Sequence, residues 1–299
     1  MKKLNVDRLI AAVAAVAALI AVWYAVVLDR TAKRQASALV PRAVEGITRG
    51  MPTLAQTTWV PTGDELAAVN RALSDIDAVI EINAKDGSAH NARGMLLTRL
   101  GDYEGALGAY GKAFDLFNRP KPRAIVLNNI GDVYAERCQL HEAATKYRAS
   151  LGAYKTALAT ANLADCLLRQ GKIPEALHEA VDAVNQDDNF VGAHFVYGKI
   201  LWRMSDQKRA IEQYERAVQI DSKYQPETHL ELSKALAATG ESDRALDEAL
   251  TAVEIAPSFA EAHAWFADLL ERAGSTQEAA VERARAKRLM TVRKPTACP

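Results

Sequence analysis

Asn129 in the run NNIGD and Asn162 in the run ANLAD stand 33 residues apart, each three residues ahead of an aspartate, Asp132 and Asp165. A carboxamide can accept a hydrogen bond from a peptide N–H and donate one to a peptide C=O, so a row of them can hold an extended segment by its backbone. Residues three or four apart share a helix face, which puts each aspartate beside its asparagine and Arg169 one turn beyond Asp165. Lys199 and Arg203 form an i, i+4 basic pair that flanks Trp202. In chain order, Asn129, Asp132, Asn162, Asp165, Arg169, Lys199, Trp202 and Arg203 make a candidate partner-binding strip that passes from amide and acidic to basic. The alternative for all of them is an ordinary solvated helix surface.

Bond-making chemistry has no comparable basis. The chain contains no GxxxxGK(S/T) loop, no GxSxG elbow and no HExxH pair, and its six histidines show no repeated metal-ligand spacing. His141–Glu142 and His178–Glu179 are adjacent in sequence and so point to different helix faces. The expectation is a protein without enzymatic activity, cofactor or metal. Cys138, Cys166 and Cys298 are odd in number and lack CxxC spacing, which favours packed or surface thiols, with a Cys138–Cys166 bridge as the alternative. With 37 basic and 37 acidic side chains and 6% aromatic residues, the chain offers neither the positive field nor the stacking platforms of a nucleic-acid binder.

The elements that would position the strip recur at a spacing of 33 to 37 residues. A small residue returns six times (Gly94, Gly131, Ala164, Gly198, Ser233, Ala267), with a bulky one three positions later (Leu97, Tyr134, Leu167, Leu201, Leu236, Leu270). A turn residue follows, Gly101, Cys138, Gly171, Ser205, Gly240 or Gly274, at a place where glycine takes positive φ without steric cost. A second helix then carries two small series, Ala106, Ala143, Ala176, Ala210, Ala245, Ala279 and Ala113, Ser150, Ala183, Ala217, Ala252, Ala286. Each helical hairpin leaves an apolar face it cannot cover alone, so neighbours must stack.

This period and residue order resemble the tetratricopeptide repeat, most clearly in NNIGDVY...HEAATKY and in ATGESDRALDEALTAVEIAPS. The early tryptophan of that pattern is absent from every copy, and its terminal proline appears only as Pro257. The resemblance implies an all-α, right-handed α-solenoid of about six hairpins over 87–291, whose first helices line a concave groove that takes protein or peptide segments. It also implies that an asparagine two residues before the small residue points into the groove, the place of Asn129 and Asn162. Some members clamp a chaperone's C-terminal carboxylate, which Asp132 and Asp165 would repel here.

Ahead of the repeats, residues 9–28 run without a charge behind a basic start, 1–8. Twenty helical residues reach about 30 Å, so one transmembrane helix is expected, with Trp23 and Tyr24 near an interface. A cleaved signal peptide is the rival reading, with Ala36-Ser37-Ala38 as its cut. Ala11 with Ala15, Ala14 with Ala18 and Ala21 with Ala25 give small-xxx-small pairs through which the span could associate with itself or another helix. Basic residues flank both ends, and the short basic start favours a bacterial inner-membrane anchor with the repeats exported over a cytosolic arrangement.

Residues 29–62 read as a tether, 63–86 as a capping helix or half-repeat with Leu66, Val69, Leu73, Ile76 and Ile80 on one side, and 292–299 as a tail. The extra length between Gly94 and Gly131 falls at Asn118–Arg123 and reads as an exposed basic connector. The functional expectation is a membrane-anchored scaffold or adaptor that recruits or assembles partner proteins through the groove. The alternative is a dedicated structural subunit of one membrane complex.

Overall fold

The computed structural model describes residues 22–23, 25–41, 63–221 and 226–292, and among them every regular element is a helix. Helix α1 (Gly63–Ile82) precedes six hairpins: α2 (Gly87–Leu100) with α3 (Tyr103–Leu116), α4 (Pro120–Glu136) with α5 (Leu140–Ala153), and α6 (Ala157–Arg169) with α7 (Ile173–Gln186). They continue as α8 (Val191–Arg203) with α9 (Gln207–Ile220), α10 (Pro226–Thr239) with α11 (Ser242–Ile255), and α12 (Ala260–Arg272) with α13 (Thr276–Val292). Each first helix touches its own partner, the preceding second helix and the next first helix. The first helices therefore form the inner layer of a solenoid, as the repeat pattern predicts.

Six identical turns build the hairpins. All six expected turn residues have positive φ, from 60° at Cys138 and 63° at Ser205 to 91° at Gly240. Beyond each, a backbone N–H returns to the carbonyl of the bulky residue of the pattern: Asp102 to Leu97, Gln139 to Tyr134, Lys172 to Leu167, Asp206 to Leu201, Glu241 to Leu236 and Ser275 to Leu270. This is the Schellman closure, which satisfies carbonyls a helix end leaves open.

The small residues mark close helix approaches. A Cβ added at Gly94, Gly131 or Gly198 would come within 2.5 to 2.6 Å of the ring of Tyr110, Tyr147 or Tyr214, each sixteen residues further on. Where the first helix carries Ala164 or Ser233, the facing residue is Ala180 or Ala249. Size is thus traded between the two helices, keeping interior packing density nearly constant. Both small series of the second helices are buried, as expected.

A second periodic device escapes a search for metal spacing. Four of the six histidines share one register, four residues before the small residue: His90, His194, His229 and His263, all buried. Nε2 of His90, His194 and His263 reaches the carbonyl six residues back, at 3.0, 3.0 and 3.1 Å. Nδ1 of His194, His229 and His263 reaches Gln213, Glu248 or Glu282, nineteen residues ahead, at 2.8, 2.6 and 2.5 Å. The rings of His194 and His263 thereby pin the entering loop to the second helix.

Three expectations change. The tether assigned to 29–62 begins as helix, since 25–37 are helical and Ala36 and Val40 are buried against Val69, Ile76 and Ala89. Ser37 also donates to Asp86, the N-cap of α2. Leu66 is exposed, and Val79 takes its place in that core. The insertion at Asn118–Arg123 is largely helix: Pro120, with its preset φ, starts a longer α4 whose Arg123 lies 3.9 Å over the Phe114 ring. Most of the apolar run 9–28 lies outside the described residues, among which no helix is long and apolar enough to cross a membrane.

Gly198→Ala is expected to cost about 1–3 kcal/mol by forcing the Tyr214 ring aside; urea unfolding of the two proteins measures the difference.

Candidate functional site

The candidate strip lies on first helices α4, α6 and α8, yet most of its polar atoms are already engaged by neighbouring repeats. Asn162 is only 7% exposed, and its amide nitrogen donates to Asn128 Oδ1 and to Asp132 Oδ1, both at 3.1 Å. Asn129 donates to Asn91 Oδ1 at 3.0 Å. The two contacts are one device, an amide three residues before the small residue receiving a bond from the amide two residues before it in the next repeat. Asn91 and Asn128 complete it, and aligning the repeats at that register would have revealed them. The ladder ends after α6, because the next two positions are Ala161 and Val196.

Asp132 is the hub. It accepts from Tyr147 Oη at 2.8 Å, Asn162 at 3.1 Å and Asn128 at 3.2 Å. Burial raises its carboxyl to about 7 with help from Glu136, against the hydrogen bond from Tyr147 and the charge of Arg99. Asp165 and Lys199 pair across repeats at 2.5 Å, and Lys199 also lies 5.5 Å over the Phe195 ring. Arg169 donates to the Ala135 carbonyl at 3.0 Å, and Trp202 packs against the core. Arg203, at the end of α8, is exposed.

Of the eight expected contacts, the structure therefore brings Asp132 with Asn162, and Asp165 with Lys199, into inter-repeat contacts. It leaves Asn129 partly exposed and Arg203 open to solvent. What remains available on the inner face lies largely one register earlier, six residues before the small residue. There Ile125 and Leu158 are each 44% exposed on successive first helices, followed by Gly192, Glu227 and Glu261. Glu227 is 5% exposed, and its Oε1, like the neighbouring Thr228 Oγ1, has no hydrogen-bond partner. An unmet buried polar atom of this kind costs about 1–3 kcal/mol. Burial raises the Glu227 carboxyl to about 7, opposed by its own backbone N–H, Arg99 and Lys199 and reinforced by Glu261. Charges on α2, α8 and α12 thus act on one carboxyl of α10 across the inner face.

Among the described residues no cluster of histidine, cysteine and carboxylate side chains could hold a metal ion. Cys166 is a free, buried thiol donating to the Leu140 carbonyl, so the Cys138–Cys166 bridge is not formed.

Residues 128–190 and 191–224 each match the tetratricopeptide repeat family. No curated protein matches the chain in sequence. Among solved structures, a chain of the APC/C hetero-tetramer Cut9–Hcn1 is 15% identical with a TM-score of 0.64, over 77% of this chain and 46% of that one. IFIT1 with Gppp-AAAA is 15% identical with a TM-score of 0.62, over 76% of this chain and 57% of its own. The pilF protein of Pseudomonas aeruginosa is 16% identical with a TM-score of 0.54, over 77% of this chain and 94% of its own. This chain spans about half the length of the first two, and the likeness to all three is one of fold.

Two outcomes follow. Asn162→Ala should cost about 1–3 kcal/mol by removing a donor from enclosed Asn128 and Asp132, measured by chemical denaturation. Because Asp132 and Glu227 bind protons more tightly folded than unfolded, stability should fall as pH rises from about 4 to about 7. Asp132→Asn should flatten that slope in a series of denaturation curves.

Proposed function

The chain belongs to the tetratricopeptide repeat family, and from that premise we propose that it is a membrane-anchored scaffold that recruits or helps assemble partner proteins through its inner face. Tetratricopeptide repeat proteins generally mediate protein–protein interaction. The observation that carries the reading here is the strip at the start of the first helices. Exposed Ile125 and Leu158 share a register with Glu227, whose buried carboxylate oxygen has no partner. The exposed apolar pair suits an extended segment with apolar side chains, and the enclosed Glu227 carboxyl marks the same register on the next helices.

Anchoring rests on the uncharged run 9–28, and export of the repeats is the favoured arrangement. The alanine pairs within 9–28 favour a second reading, a dedicated subunit of one membrane complex held by that segment.

Crosslinking in native membranes, followed by purification, tests both. Under the scaffold reading, Glu227→Lys removes crosslinked partners while the circular dichroism spectrum is kept, and partners retained in full contradict it. Under the subunit reading, a single stoichiometric partner survives Glu227→Lys and is lost when residues 9–28 are replaced by an unrelated span.

A further inference from the structure

The histidine register has one incomplete member. In the fifth and sixth hairpins the second helix supplies a carboxylate to the ring, Glu248 to His229 at 2.6 Å and Glu282 to His263 at 2.5 Å. In the fourth it supplies the Gln213 amide oxygen to His194 at 2.8 Å. In the first hairpin the residue nineteen positions after His90 is Ala109. His90 is 6% exposed, its Nε2 meets the Ala84 carbonyl at 3.0 Å, and its Nδ1 has no protein partner among the described residues.

The space where that partner would sit is open. A cleft of about 380 Å³ lies between α1, α2 and α3, lined by His90, Arg93, Lys112, Gly105, Gly108 and Ala109. Arg93 is anchored through Nε to Asp77 of α1 at 2.7 Å, and Lys112 is exposed at the edge. Gly105, Gly108 and Ala109 stand where the sixth hairpin carries Glu278, Val281 and Glu282, and the fifth Arg244, Asp247 and Glu248. Glycine inside a helix is destabilising against alanine. A Cβ at Gly108 would meet nothing within 4 Å, so helix packing does not demand glycine there.

We infer that this cleft is a carboxylate-binding site, in which a ligand's carboxylate takes the place that Glu248 and Glu282 hold in the later hairpins. The carbonyl of Ala84 can only accept, so Nε2 carries a hydrogen toward it, and Nδ1 is the ring atom left to meet the ligand. His263 sits in the same arrangement, between the Pro257 carbonyl and Glu282. Arg93 and Lys112 add positive charge, and charge-assisted hydrogen bonds are about twice as strong as neutral ones. The ligand is either a free dicarboxylate or an acidic side chain of a peptide, and the site lies apart from the inner strip.

The test is calorimetric titration of the full-length protein in detergent with glutarate and, separately, with a short glutamate-rich peptide. Binding of glutarate identifies a small-molecule site, and binding of the peptide alone identifies a peptide subsite. Lys112→Gln, on an exposed side chain, should weaken binding about tenfold. Ala109→Glu should fill the cleft from within, abolishing binding and raising the melting temperature by a few degrees. No heat with either probe, or unchanged binding in Ala109→Glu, overturns the assignment.

Discussion

The array depends on one constraint: no hairpin can bury its own apolar face, so every helix must approach its neighbours closely enough to share a core. The approach is set where a first-helix small residue meets the second helix, with Gly94, Gly131 and Gly198 under tyrosine rings and Ala164 and Ser233 opposite alanines. The Schellman turns fix the hairpin angle, and His194 and His263 tie their entering loops to it. Polar groups follow the same rule. The amide ladder Asn91–Asn129 and Asn128–Asn162, the Asp132 hub and the Asp165–Lys199 pair act between repeats as much as toward solvent.

Much of the fold was legible because repetition reports it six times. The turn residues could be named from the period alone, even at Cys138 and Ser205, where the side chain disfavours positive φ and neighbouring contacts impose it. The extension of α4 was misread because Asn118–Arg123 looks like a connector, whereas Pro120 and Pro122 sit in a helical first turn that needs no N–H donor. The helical start of the tether was missed because its packing partner, α1, is distant in sequence.

The site was harder to read. Residue type revealed that Asn129, Asn162, Asp132 and Asp165 would be hydrogen-bonded, but not to what, since an amide on the inner face can meet a ligand or the next repeat. Solenoid curvature brings successive first helices close enough for the second. The surface still available, Ile125 and Leu158, carries no motif, and neither does the enclosed oxygen of Glu227 in the same register. It emerges only when burial and bonding are known.

The claim that the inner face is the working surface separates most directly at two exposed apolar positions on opposite layers of the same hairpin. Leu158 on first helix α6 is 44% exposed, and Val181 on second helix α7 is 38% exposed. A photo-crosslinking amino acid at each, irradiated in native membranes, should give specific partner adducts at Leu158 and none at Val181. Adducts at Val181 alone would place recognition on the outer face and contradict the account.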